Sequence, residues 1–151
     1  MENTNQNSSS KLDLLHQLEE LKQYSSRDAL SGLLNRAATE HFIKQQLEKM
    51  APGDMCALFI IDLDNFKQVN DTLGHQAGDQ AIRKSAQILS GIFQAKDIVG
   101  RFGGDEFVIF LCGQITEDLA RKKGAEICES LQLVLGDHPS VTLTASVGIY
   151  L

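Results

Sequence analysis

Basic side chains are in deficit in this 151-residue chain: 14 Lys and Arg stand against 20 Asp and Glu, a formal net charge of −6. That balance excludes a cationic face for a nucleic-acid backbone. Any phosphate chemistry here calls on a metal cation for the missing positive charge. Long apolar runs are also lacking. No stretch reaches the roughly 18 uncharged residues that cross a bilayer, and the polar opening MENTNQNSSS has no apolar signal-peptide core, so a cytoplasmic protein is expected. Cysteine is sparse. Cys56, Cys112 and Cys128 are odd in number and widely spaced, which excludes a disulfide framework or a zinc pattern and predicts reduced, buried thiols. No internal repeat is present. What remains, 42% apolar and 23% charged, suits one domain able to bury about two-thirds of its unfolded surface.

Residues 1–10 are too polar to repay ordering and read as a disordered tail. Leu14, Leu18 and Leu21 then recur at helical spacing within an amphipathic segment, residues 11–25, suited to linking or signalling by self-pairing. A domain is expected over residues 26–151. Its first helix should run from about Arg36 to Met50, with Ala38, Phe42 and Leu47 on one face, until Pro52 and Gly53 break it. The run MCALFII, residues 55–61, predicts a strand buried on both faces and ending in Asp62, Leu63 and Asp64. A polar stretch leads to a helix from about Gln76 to Leu89. A hairpin follows, Asp97 to Phe102 and Phe107 to Leu111, with Gly103 and Gly104 at its tip. A helix capped by Thr116, from about Glu117 to Leu133, a turn over residues 136–139 and a strand from Val141 to Tyr150 complete an α+β order of βαββαβ type.

Two acidic clusters punctuate this framework: Asp62 with Asp64, and Asp105 with Glu106. If their strands are neighbours, the carboxylates converge, and a hard divalent cation with oxygen ligands, Mg²⁺ or Mn²⁺, best relieves their repulsion. The plain alternative is that they only solvate strand ends. Gly103 and Gly104 suit close approach of a nucleotide to the backbone as well as a tight turn. Asn70 and Asp79 suit guanine, because a carboxylate accepts from N1–H and N2–H₂ together. Asp79 could equally cap a helix, and His75 could be an ordinary loop histidine.

The sequence also carries a resemblance. RFGGDEF from Arg101, DALSGLLNR from Asp28, DLDNFK from Asp62, NDTLGHQAGD from Asn70 and SVGIY from Ser146 stand in order and resemble the motifs of the GGDEF-domain diguanylate cyclase family over residues 25–151. The resemblance implies a polymerase-palm-like fold and condensation of two GTP into cyclic di-GMP. It implies that Asp62, the Leu63 carbonyl and Asp105 bind Mg²⁺, with Glu106 nearby or on a second ion, giving two ions per half-site. Asp105 is the implied proton acceptor. Asn70, His75 and Asp79 would contact the guanine nucleotide and Lys67 a phosphate. Asp28 to Arg36 is expected to be structural, an entry turn with a cap and ion pairs. It also implies a homodimer in catalysis and an upstream sensor. Two departures stand out. The product-inhibition site reads Gln94, Ala95, Lys96, Asp97, without its arginine, so feedback should be weak. Similar domains continue past SVGIY into a basic helix, whereas this sequence stops at Leu151. The alternative reading is a catalytically inactive GTP-binding or dimerisation module.

Overall fold

The computed structural model describes residues 26–137 and 140–151. The expected tail, the helix over residues 11–25, and His138 and Pro139 lie outside the described residues. In chain order the elements are α1 (Arg36–Leu47), β1 (Met55–Asp64), α2 (Phe66–Leu73), α3 (His75–Ile92), β2 (Ile98–Gly103), β3 (Glu106–Gly113), α4 (Glu117–Ser130), β4 (Leu133–Leu135) and β5 (Val141–Tyr150). The strands form one sheet in the order β2-β3-β1-β5-β4, antiparallel throughout. This is the expected α+β palm-like βαββαβ core, with β4 added at one edge. No helix among the described residues is long and apolar enough to cross a membrane.

β1 organises the core. Ala57, Phe59, Ile61 and Leu63 point to one face and are essentially fully buried with Val69, Ile82, Leu89 and Ile127. The expectation of burial on both faces is corrected. Cys56, Leu58, Ile60, Asp62 and Asp64 occupy the other face, and Ile60 remains 41% exposed. The cause is layer coverage: α1 packs mainly on β2 and the adjoining β3 rather than over β1. A Cβ at Gly100 of β2 would overlap the Thr39 hydroxyl. Thr39 is therefore the fully buried residue of α1, followed at helical spacing by half-buried Ile43, Gln46 and Met50. Phe42 and Leu47, expected on the inner face, are exposed. That close backbone approach, rather than bulk, sets the rotation of α1.

Other boundaries shift for local reasons. α2 was not expected; Asn65 in the left-handed region turns the chain out of β1, and buried Val69 anchors the helix. α3 begins at His75 with Gly74 as its cap, earlier than expected. α4 starts behind its Thr116 cap as expected, where the hydroxyl accepts from Leu119 N–H at 3.2 Å, but ends at Ser130 and frees residues for β4. In the hairpin, Gly103 pairs with Glu106, so the two-residue turn is Gly104-Asp105; an irregularity between Arg101 and Gly103 moves the tip by one residue.

Candidate active site

Sheet register brings the two acidic segments together. Asp62 near the end of β1 lies directly opposite Glu106 at the start of β3, and Leu63 N–H donates to the Asp105 carbonyl at 3.3 Å. Asp62 and Glu106 are exposed and Asp105 is half-buried. Partial loss of water at this rim raises the Asp62 pKa, and repulsion from Asp105, Glu106 and Asp64 raises it further. Four carboxylates thus crowd one end of the sheet. Among the described residues, no cluster of three His, Cys, Asp or Glu side chains is arranged to hold an ion alone. A donor set of paired carboxylates with open positions fits a hard cation that also takes ligands from a substrate.

The structure separates Asp64 from its neighbour. Thr144 and Ser146 on β5 donate their hydroxyl protons to its two carboxylate oxygens at 2.8 and 2.7 Å. Asp64 therefore ties β1 to β5, and Asp62 is left to face β3. Hydroxyls spaced two apart on the strand from Val141 were the available signal.

Arg101 is the residue that sequence reasoning quoted without a role. Its guanidinium donates through Nε and Nη2 to the Gly104 carbonyl at 3.1 and 2.8 Å, and through Nη1 to Asp28 at 2.8 Å. One planar fork thus grips the turn that carries Asp105 and fastens it to the start of the domain. Asp28 also accepts from Ser31 N–H and Oγ–H at 2.8 and 2.7 Å. Burial alone would raise its pKa, but the Ser31 and Arg101 hydrogen bonds prevail and hold it below the usual carboxylate value. Asn35 caps α1 by accepting from Ala38 N–H at 3.0 Å. The segment from Asp28 to Arg36 thus forms a turn, an ion pair and a cap, as expected.

The remaining candidates sit on α2 and α3, directly after β1. Lys67 is exposed on the first turn of α2, and Asn70 is half-buried further along it. His75 opens α3, so it is not a loop histidine; Asp79 lies inside α3, so it is not a cap. Both are exposed. A Cβ at Gly78 would overlap the Asn70 side-chain oxygen, so the bare backbone beside Asp79 seats the Asn70 amide. Sequence reasoning missed Gly78. Gly103 and Gly104 have positive φ of 142° and 50°, and added Cβ atoms there would meet open space. In the segment where a product-inhibition site was expected to be degenerate, Asp97 is folded onto its own turn, accepting from Gln94 N–H at 2.8 Å, beside a cavity of about 410 Å³ also lined by Arg27.

The family profile described as "Diguanylate cyclase, GGDEF domain" matches residues 25–151. The chain belongs to the GGDEF-domain diguanylate cyclase family. The probable diguanylate cyclase DgcC of Escherichia coli K12 is 37% identical over 131 residues, covering 85% of this chain and 35% of that protein. The cyclic di-GMP phosphodiesterase NbdA of Pseudomonas aeruginosa is 34% identical over 148 residues, covering 91% of this chain and 18% of that protein. The chain thus spans about a third or less of these curated relatives. Among solved structures, a sensory box/GGDEF family protein from Caulobacter crescentus superposes with a TM-score of 0.76 at 30% identity, covering 83% of this chain and 82% of that one.

Proposed function

We propose that this GGDEF domain condenses two GTP molecules into cyclic di-GMP and two pyrophosphates, with two facing copies each holding one nucleotide. The observation that carries the reading is the convergence of Asp62, Asp105 and Glu106 where β1 meets β3. Asp62, the Leu63 carbonyl and Asp105 would hold a Mg²⁺ or Mn²⁺ ion, with Glu106 on a second. Ions held there would supply the positive charge that the triphosphate needs and lower the pKa of the 3′-hydroxyl. Asp105 accepts the hydroxyl proton as a secondary role, because a carboxylate engaged with an ion is a weak base. Lys67 offers its ammonium to phosphate, while Gly103 and Gly104 let the nucleotide approach the main chain. Asn70 and Asp79 read the guanine edge, with His75 at the mouth of α3. Without the arginine fork at Gln94, the product gains little hold there.

A second reading, a GTP-binding or dimerisation module without turnover, is favoured by the likeness to a relative named as a phosphodiesterase. Incubation with GTP and Mg²⁺, with products identified by mass, separates the two. Cyclic di-GMP whose rate per chain rises with protein concentration supports the condensing enzyme; GTP binding without product supports the module. Within the first reading, Gly78→Ala displaces the Asn70 amide. The KM for GTP should rise about tenfold, the scale of one disturbed hydrogen bond, with a smaller change in kcat. An unchanged KM in steady-state kinetics would remove Asn70 from guanine recognition.

A further inference from the structure

Three sulfur-bearing residues gather on the second face of the sheet, at the end of β1 remote from the carboxylates. Cys56 of β1 and Cys112 of β3 are direct cross-strand partners, so their side chains stand side by side on that face. Met50, just beyond α1, reaches the same place: the Cys56 thiol contacts its thioether sulfur at 3.8 Å. Both cysteines, like Cys128, are half-buried rather than sealed in the core, which corrects the expectation of buried thiols. A cavity of about 240 Å³ lined by Met50 and Cys112 opens beside them. Lys49 and Lys96 line it too, with Asp54 the one acidic lining residue.

We propose that Cys56, Cys112 and Met50 form a three-sulfur site for a soft monovalent metal ion of the Cu(I) class. Two thiolates and a thioether select a soft ion over the hard Mg²⁺ or Mn²⁺ of the carboxylate site. The 3.8 Å between the Cys56 thiol and the Met50 thioether is short enough for one ion to bridge both at bonds of roughly 2.3 Å, and Cys112 is the direct cross-strand partner of Cys56. Two thiols release two protons to solvent and the ion gains two thiolate bonds and one thioether bond, with no change of oxidation state. The complex carries one net negative charge, which Lys49 and Lys96 offset. Burial, with the neighbouring Cys112, raises the Cys56 pKa, so metal binding has a proton to displace there. Cys56 lies six residues before Asp62, roughly 20 Å along the strand, so the two metal chemistries do not share ligands. Cys128 lies on α4, where its thiol faces the Ala145 carbonyl at 3.7 Å, and serves as an internal control.

The test is an anaerobic titration of the full chain, reduced and shown to carry three free thiols, with Cu(I) held by a chromogenic chelator. Wild type and Cys128→Ser should each withdraw one equivalent and gain near-ultraviolet thiolate-to-copper absorption. Cys56→Ser and Cys112→Ser should weaken retention at least tenfold, and Met50→Leu severalfold. Met50→Leu keeps both thiols and an apolar side chain, so it reports on the site even if a cysteine variant folds poorly. Copper should raise the wild-type Tm and leave that of Cys112→Ser unmoved. Copper left wholly with the chelator, uptake lost on Cys128→Ser, or cysteine variants that retain copper as well as wild type would each overturn the site.

Discussion

Asp62→Asn is expected to cut turnover about a thousandfold and, in the same protein, to raise the stability of the ion-free fold. The two effects have one origin. Asp62 is crowded by Asp105, Glu106 and Asp64, and with partial desolvation this raises its pKa. For an acid whose folded pKa lies above its unfolded value, folding favours the protonated form. Stability therefore declines as pH rises from the ordinary carboxylate value through the raised one, and the penalty persists at neutral pH. Asparagine keeps the shape and removes the charge, so the ion-free variant should melt about 1–2 °C higher, with the gain fading in acid. In the proposed reaction, the same charge is what a divalent cation would answer. Loss of a metal ligand should cost several kcal/mol of transition-state stabilisation, about three orders of magnitude in rate. Thermal melts with and without Mg²⁺ should show an upward shift in wild type and none in the variant. A variant less stable than wild type without metal would mean that Asp62 is a structural carboxylate like Asp64.

That contrast marks how far the sequence could be read. Continuous apolar character made β1 visible, because that pattern follows from burial in a sheet, and the strand expected from Val141 to Tyr150 after the turn has the bounds of β5. The convergence of Asp62 with Glu106 also followed once the two strands were taken as neighbours. Whether Asp62 or Asp64 was free depended on Thr144 and Ser146, which are distant in sequence and become partners only through the β1–β5 register. α2 escaped because only Val69 among its eight residues is buried, too little for a period to be seen. The inner face of α1 was misread because a threonine packing on Gly100 outweighed phenylalanine and leucine. Met50 and the Cys56–Cys112 pair were equally hidden, since the cysteines are 56 positions apart.

Arg101 is the most demanding case, because its partner Asp28 stands 73 positions away and its second contact is a backbone carbonyl. Arg101→Ala should lose about 2–4 kcal/mol of folding stability, below the upper range for breaking a buried ion pair because the site is only partly shielded. The side chains retain 11% and 25% of their exposure for Arg101 and Asp28. The substitution leaves Asp28 without a cation and the Gly104 carbonyl without its donor. The turn bearing Asp105 then loosens, and turnover should fall about tenfold while the KM for GTP changes less, as expected of a positioning residue. Arg101→Lys should recover only part of both losses, since one ammonium cannot span Asp28 and Gly104 together. The pH dependence identifies the pair. Asp28 has a folded pKa below its unfolded value, so its stabilisation is complete above the ordinary carboxylate pKa and is lost as pH falls through the folded one. Urea unfolding across pH 2–5 should show that acid limb in wild type and a shallower one in Arg101→Ala. Equal acid limbs, or a double-mutant cycle with Asp28→Asn giving no coupling, would show that the fork holds the turn through Gly104 alone.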